Sequence, residues 1–116
     1  MPTYVQIYFA SQDSGDRLLS RVGAALGVRF EPVDRPYADY RASTGDLVLD
    51  LAFSHELEDD AGVPFESMPH VLTVRDLQRG QHEEPAAREM FRRLERVGYR
   101  PMYLVKGLVP ISPGRE

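Results

Sequence analysis

The chain has 116 residues, 42% of them hydrophobic and 28% charged, and a formal net charge of −4, the composition of one ordinary globular domain rather than of a disordered or membrane protein. It holds no cysteine, which excludes disulfides, thiolate zinc sites and a cysteine nucleophile together. No apolar run nears the roughly 20 residues that cross a bilayer, and the start, MPTYVQIYFASQD, has neither a basic nor an apolar leader segment, so a cytoplasmic product is expected.

Thr3 to Phe9 alternates Val5, Ile7 and Phe9 with Tyr4, Gln6 and Tyr8, the period-two pattern of a strand with one face on a core. Asp13 and Ser14 are N-cap types. Leu18, Leu19, Val22, Ala25 and Leu26 then recur at helical spacing until Gly27 supplies a stop. Val28 to Val33 reads as a short second strand, and the polar segment DRPYADYRASTGD after it reads as a loop. In Asp46 to Ser54, Leu47, Leu49, Leu51 and Phe53 share one face while Asp46, Val48, Asp50 and Ala52 share the other, a third strand with a solvated side. His70 to Val74 makes a fourth. EEPAAREMFRRLERVG is a helix with Pro85 in its first turn, acids at its positive end and Gly98 as its stop. MYLV follows as a fifth strand.

The order β-α-β-β-β-α-β predicts an α/β (α+β) two-layer sandwich, with both helices on one face of a mixed sheet of about five strands. Residues 1–109 form the single domain of this scheme, and residues 110–116 a tail.

Charge is unevenly placed. Between Arg41 and Arg75 there is no Lys or Arg but there are seven acids, Asp46, Asp50, Glu56, Glu58, Asp59, Asp60 and Glu66. The loop from Glu56 to Glu66 lacks the full ligand pattern and twelfth-position Glu of a calcium loop; Glu56, Glu58 and Asp60 alternate and leave a weak divalent site as an alternative, but no cofactor is expected. Asp50 with His55 is the one acid–base pair the spacing offers, and His55 with His70 the one imidazole pair. No nucleophile elbow or phosphate-binding glycine motif is present. Arg88, Arg92, Arg93 and Arg96 are interleaved with Glu89 and Glu95, the pattern of a solvated helix face rather than of a nucleic-acid interface. The acids therefore read best as a docking surface for a basic protein, with Phe65 beside them either as an exposed anchor or folded under to pin the loop. A small enzyme using Asp50, His55 and the loop acids, with or without a divalent cation, is the competing reading. A homodimer formed through an open sheet edge is the third.

The block LEDDAGVPFESMPHVLTVR, followed by AAREMFRRLERVG and MYLV, resembles small bacterial immunity proteins of polymorphic toxin systems over Leu47 to Val105. That resemblance implies a non-enzymatic inhibitor that binds a cognate toxin with a basic surface, and neither nucleic acid nor membrane. Glu56, Glu58, Asp59, Asp60, Phe65 and Glu66 would then be the contact residues.

Overall fold

In the computed structural model, which describes residues 4–13, 15–60, 62–77, 82–106 and 109–112, the alternation of Tyr4–Phe9 becomes strand β1, with Val5, Ile7 and Phe9 fully buried. Helix α1, Gly15–Leu26, turns Leu18, Val22 and Leu26 inward. It ends at Gly27, whose φ of 69° is the left-handed conformation that glycine adopts at least cost. Gly23 has a second role: the Val28 amide donates to its carbonyl at 3.0 Å, and a Cβ at position 23 would lie 3.0 Å from the Val28 carbonyl oxygen.

The segment expected to be a loop is a hairpin. Strand β2 spans Glu31–Arg35 rather than Val28–Val33, and β3 spans Ala38–Thr44, the two joined through Pro36 and Tyr37. The helix-facing positions of β3 are Ala38, Tyr40 and Ala42; two small residues around one aromatic carry too weak a periodicity to announce a strand. Strands β4 (Leu47–Ala52) and β5 (His70–Asp76) stand where the spacing placed them, as does helix α2 (Glu83–Val97). Gly98 closes α2 at φ 105°, its amide donating to the Glu95 carbonyl at 3.0 Å. After β6 (Met102–Lys106), the backbone of Val109–Ser112 adds β7, so the expected tail begins as a strand. Ser14, the second expected cap residue, lies outside the described residues.

The seven strands form one sheet in the order β2-β3-β4-β5-β1-β6-β7, and every pairing is antiparallel, not mixed. The two unpredicted strands explain the difference. Each is a hairpin partner of its neighbour, and hairpins join antiparallel strands. Both helices pack on one face, where Leu18, Val22, Met90, Phe91 and Leu94 meet Ile7, Phe9, Leu49, Leu72 and Leu104 in the main core. The α+β two-layer scheme thus stands, with its sheet enlarged.

The other face of the sheet carries no helix. The segment after β4 covers one end of it, with Val63, Phe65 and Met68 packing on Tyr8, Ala52, Val71 and Val105 in a second apolar cluster. No helix among the described residues covers the rest of that face.

Candidate functional site

The acidic loop is built from its apolar residues outward. Val63, Phe65 and Met68 are 0, 2 and 0% exposed, and burying side chains of this size contributes about 1.5–3 kcal/mol each before ordering costs. Phe65 enters on a short 3-10 turn, Phe65–Ser67, and sets its ring edge-on to Tyr8 at 4.8 Å. It therefore pins the loop from beneath and is not the exposed anchor that its neighbours in sequence allowed.

Polar contacts fix the loop further. The His55 Nε2–H donates to the Met68 carbonyl at 2.6 Å, and its Nδ1 accepts the Leu57 amide at 3.0 Å. Asp60 and Val63 exchange backbone hydrogen bonds around Gly62 at φ 78°. Asp59 Oδ1 accepts the Glu66 amide at 2.8 Å, and Glu66 Oε2 accepts the Asp59 amide at 3.3 Å.

All five expected contact acids, Glu56, Glu58, Asp59, Asp60 and Glu66, are exposed. Among the described residues none of them forms an ion pair. Asp59 and Asp60 lie with Val63 and Tyr103 around a shallow pocket of about 440 Å³, and Glu66 joins them through its bonds to Asp59. Glu56 points the other way, into a larger cleft. The structure thus gathers three of the acids and sets Glu56 on a separate wall.

Helix α2 contrasts with the loop. Glu84 carries Lys106 and Arg88, and Glu89 carries Arg92 and Arg93. These cations hold both carboxyls below their usual range, Lys106 first for Glu84 and Arg92 first for Glu89. These local ion pairs are those that the interleaving of arginine and glutamate predicted.

Asp50 is not the solvated strand residue that its position suggested. It is 1% exposed, and it receives Arg41 Nε at 2.6 Å, Arg41 Nη2 at 3.3 Å and a very short contact from Arg75 Nη2. The hydrogen bond to Asp50 holds the Arg41 pKa above its ordinary value. Sheet register creates this cluster: Arg41 is the cross-strand partner of Asp50, and Arg75 lies two residues from Thr73, its partner on the other side. The Tyr37 ring lies over the Arg75 guanidinium at 5.9 Å. Burial pushes the Tyr37 phenol up, but Arg41 and Arg75 together bring it below its ordinary value. Both Asp50 oxygens and both His55 nitrogens are thus occupied, and the two residues form no acid–base pair.

At the opposite end of β5, His70 is buried. Its Nδ1–H donates to the Phe53 carbonyl at 2.9 Å, and Ser11 Oγ lies 3.2 Å from its Nε2. Burial lowers its pKa, against the raising effects of the Phe53 hydrogen bond and of Asp13. A neutral ring with the proton on Nδ1 accepts the Ser11 hydroxyl at Nε2. Asp13 itself gathers Arg17, Arg21 and the Tyr99 hydroxyl, which ties α1 to the segment after α2.

The arginine cluster and Tyr37 escaped the sequence reading because they depend on β3, which was read as loop. An alternation of Asp39, Arg41 and Ser43 against Ala38, Tyr40 and Ala42 was the available signal. No family model, curated protein or solved structure matches the chain.

Proposed function

We propose that this chain is a non-enzymatic inhibitor of the immunity type, which binds a cognate toxin domain through the loop bearing Glu56, Glu58, Asp59, Asp60 and Glu66. One observation carries the reading: α2 neutralises most of its own charge, whereas the five loop acids are exposed and meet no cation among the described residues. Clustered carboxylates repel one another, and a docking cation relieves that repulsion. Burial of Val63, Phe65 and Met68 orders the loop before the partner arrives, which lowers the entropic cost of binding. The partner's face is basic, as is the phosphate-binding surface of a nuclease, and the loop acids stand in for the phosphates.

The experiment identifies the genes adjacent to the one for this chain and measures by calorimetry the binding of any toxin domain they encode. Glu58→Lys with Asp60→Lys should leave the melting temperature unchanged and reduce affinity by at least about a hundredfold. Undiminished binding by the double variant at low salt contradicts the proposal.

A further inference from the structure

A cleft of about 700 Å³ opens on the helix-free face of the sheet between the β2–β3 hairpin tip and residues 54–57. Four large apolar or aromatic side chains are exposed among the described residues: Tyr4 at 47%, Tyr37 at 52%, Leu57 at 41% and Leu77 at 68%. Three of them, Tyr4, Tyr37 and Leu57, line this cleft. Single exposed apolar residues need no explanation, but their concentration around one concavity marks a binding surface.

The cleft is chemically polarised along the strands. At the hairpin end Arg75 stands beside Tyr4, its partner in the β1–β5 register, under the Tyr37 ring. Arg41 and Arg75 together exceed Asp50 by one positive charge. Arg75 Nε is buried without a hydrogen-bond partner, and the Tyr37 hydroxyl bonds both guanidinium groups at the mouth of the cleft. In the middle, Gln6 donates to Thr73 Oγ1 at 3.3 Å and accepts from the Tyr8 hydroxyl at 2.9 Å. At the loop end stands the exposed acid Glu56, beside Leu57. Four strand residues, from Tyr4 to Tyr8, separate the ends by about 13 Å. An ion cluster of this kind adds little stability over apolar side chains of similar volume. The other end of the same face shows the apolar solution, since Val63, Phe65 and Met68 cover it.

We propose that this cleft binds a small aromatic monocarboxylate, its carboxylate at Arg75, its ring against Tyr37 and Tyr4, and a hydrogen-bond donor at its far end directed to Glu56. Arg75 keeps its charge and its second Nη group for a carboxylate, although Asp50 holds Nη2 and Nε is buried, and the tyrosines supply rigid faces for a ring. Glu56 repels a second anion at the far end, so a dicarboxylate of the same length is excluded. Glu56 is shared with the proposed toxin contact, whereas Arg75, Tyr37 and Tyr4 belong to the cleft alone, so ligand binding by the free chain tests the cleft separately.

The test uses the full chain and four probes: 3-(4-hydroxyphenyl)propionate, its uncharged propionamide, 3-phenylpropionate and 3-(4-carboxyphenyl)propionate. The hydroxylated monocarboxylate should raise the melting temperature at millimolar concentration and shift the amide resonances of Gln6, Thr73 and Tyr37. The amide and the dicarboxylate should each bind at least about tenfold more weakly, and 3-phenylpropionate should fall between. Tyr37 is exposed at a hairpin tip, so Tyr37→Ala should keep the melting temperature of the free protein and lose binding by about tenfold. Leu57→Ser gives the same comparison on the opposite wall if Tyr37→Ala disturbs the hairpin. No binding by either monocarboxylate at millimolar concentration, equal binding of acid and amide, or full binding by both variants overturns the assignment.

Discussion

Asp50 and Arg41 face each other across the β3–β4 register, and the Arg41 Nε reaches the buried Asp50 carboxylate at 2.6 Å while Arg75 grips it from β5. One carboxylate thus ties three adjacent strands on the open side of the sheet. Removing it leaves two guanidinium groups without their anion. Because both arginine side chains remain 28% exposed, water can solvate them in part. Asp50→Ala should therefore cost about 2–3 kcal/mol, less than the 3–5 kcal/mol typical of breaking a fully buried pair. Urea denaturation measures it, and a change below about 0.5 kcal/mol would mean that the cluster holds nothing.

Phe65→Ala should detach the acidic loop without unfolding the helix-packed core, since Phe65 belongs to the second apolar cluster and not to the first. A loss of about 3 kcal/mol is expected for a buried aromatic truncated to alanine. Limited proteolysis should cut the segment 56–62 faster in the variant. Far-ultraviolet circular dichroism should keep the wild-type helix signal.

His70 makes stability depend on pH in a definite direction. Burial, the largest cause, puts its folded pKa below the roughly 6.5 of an unfolded histidine. Below about pH 6.5 the unfolded chain takes up a proton that the folded chain refuses, so this contribution is full above that pH and is lost on acidification. The melting temperature should fall between pH 7.5 and pH 5, and His70→Gln should flatten the fall. An unaltered slope in the variant would assign the pH dependence to other groups.

Gly23→Ala tests the crossing after α1. Alanine gains roughly 0.8–1.0 kcal/mol in helix propensity. Its Cβ, however, meets the Val28 carbonyl oxygen at 3.0 Å, and that oxygen is backbone held in place by the bond from the Val28 amide to the Gly23 carbonyl. The clash should outweigh the propensity, for a net loss of about 1 kcal/mol in thermal denaturation.

How far these features were legible depends on side-chain size and on sequence distance. Strand β1, helix α2 and strand β4 announced themselves because Ile7, Phe91 and Leu49 recur with large neighbours at one clear period. Strand β3 did not, because Ala38 and Ala42 mark its inward side. With β3 missed, Arg41 had no register, and Asp50 looked solvated when two arginines from neighbouring strands enclose it. The exposure of the loop acids was readable from their density. The burial of Phe65 was one of two open readings, and sequence could not decide between them because its partners Tyr8 and Val105 lie far away on β1 and β6.

The proposed docking of the loop's uncompensated negative charge on a basic protein is tested most directly by association kinetics. Stopped-flow mixing with the basic protein that calorimetry identifies as the partner should give an association rate near ~10^8 M⁻¹s⁻¹ at low salt, falling steeply as ionic strength rises. Glu58→Lys with Asp60→Lys should lower that rate by at least about tenfold and flatten its salt dependence. A rate insensitive to salt and unchanged by the double substitution would contradict the account.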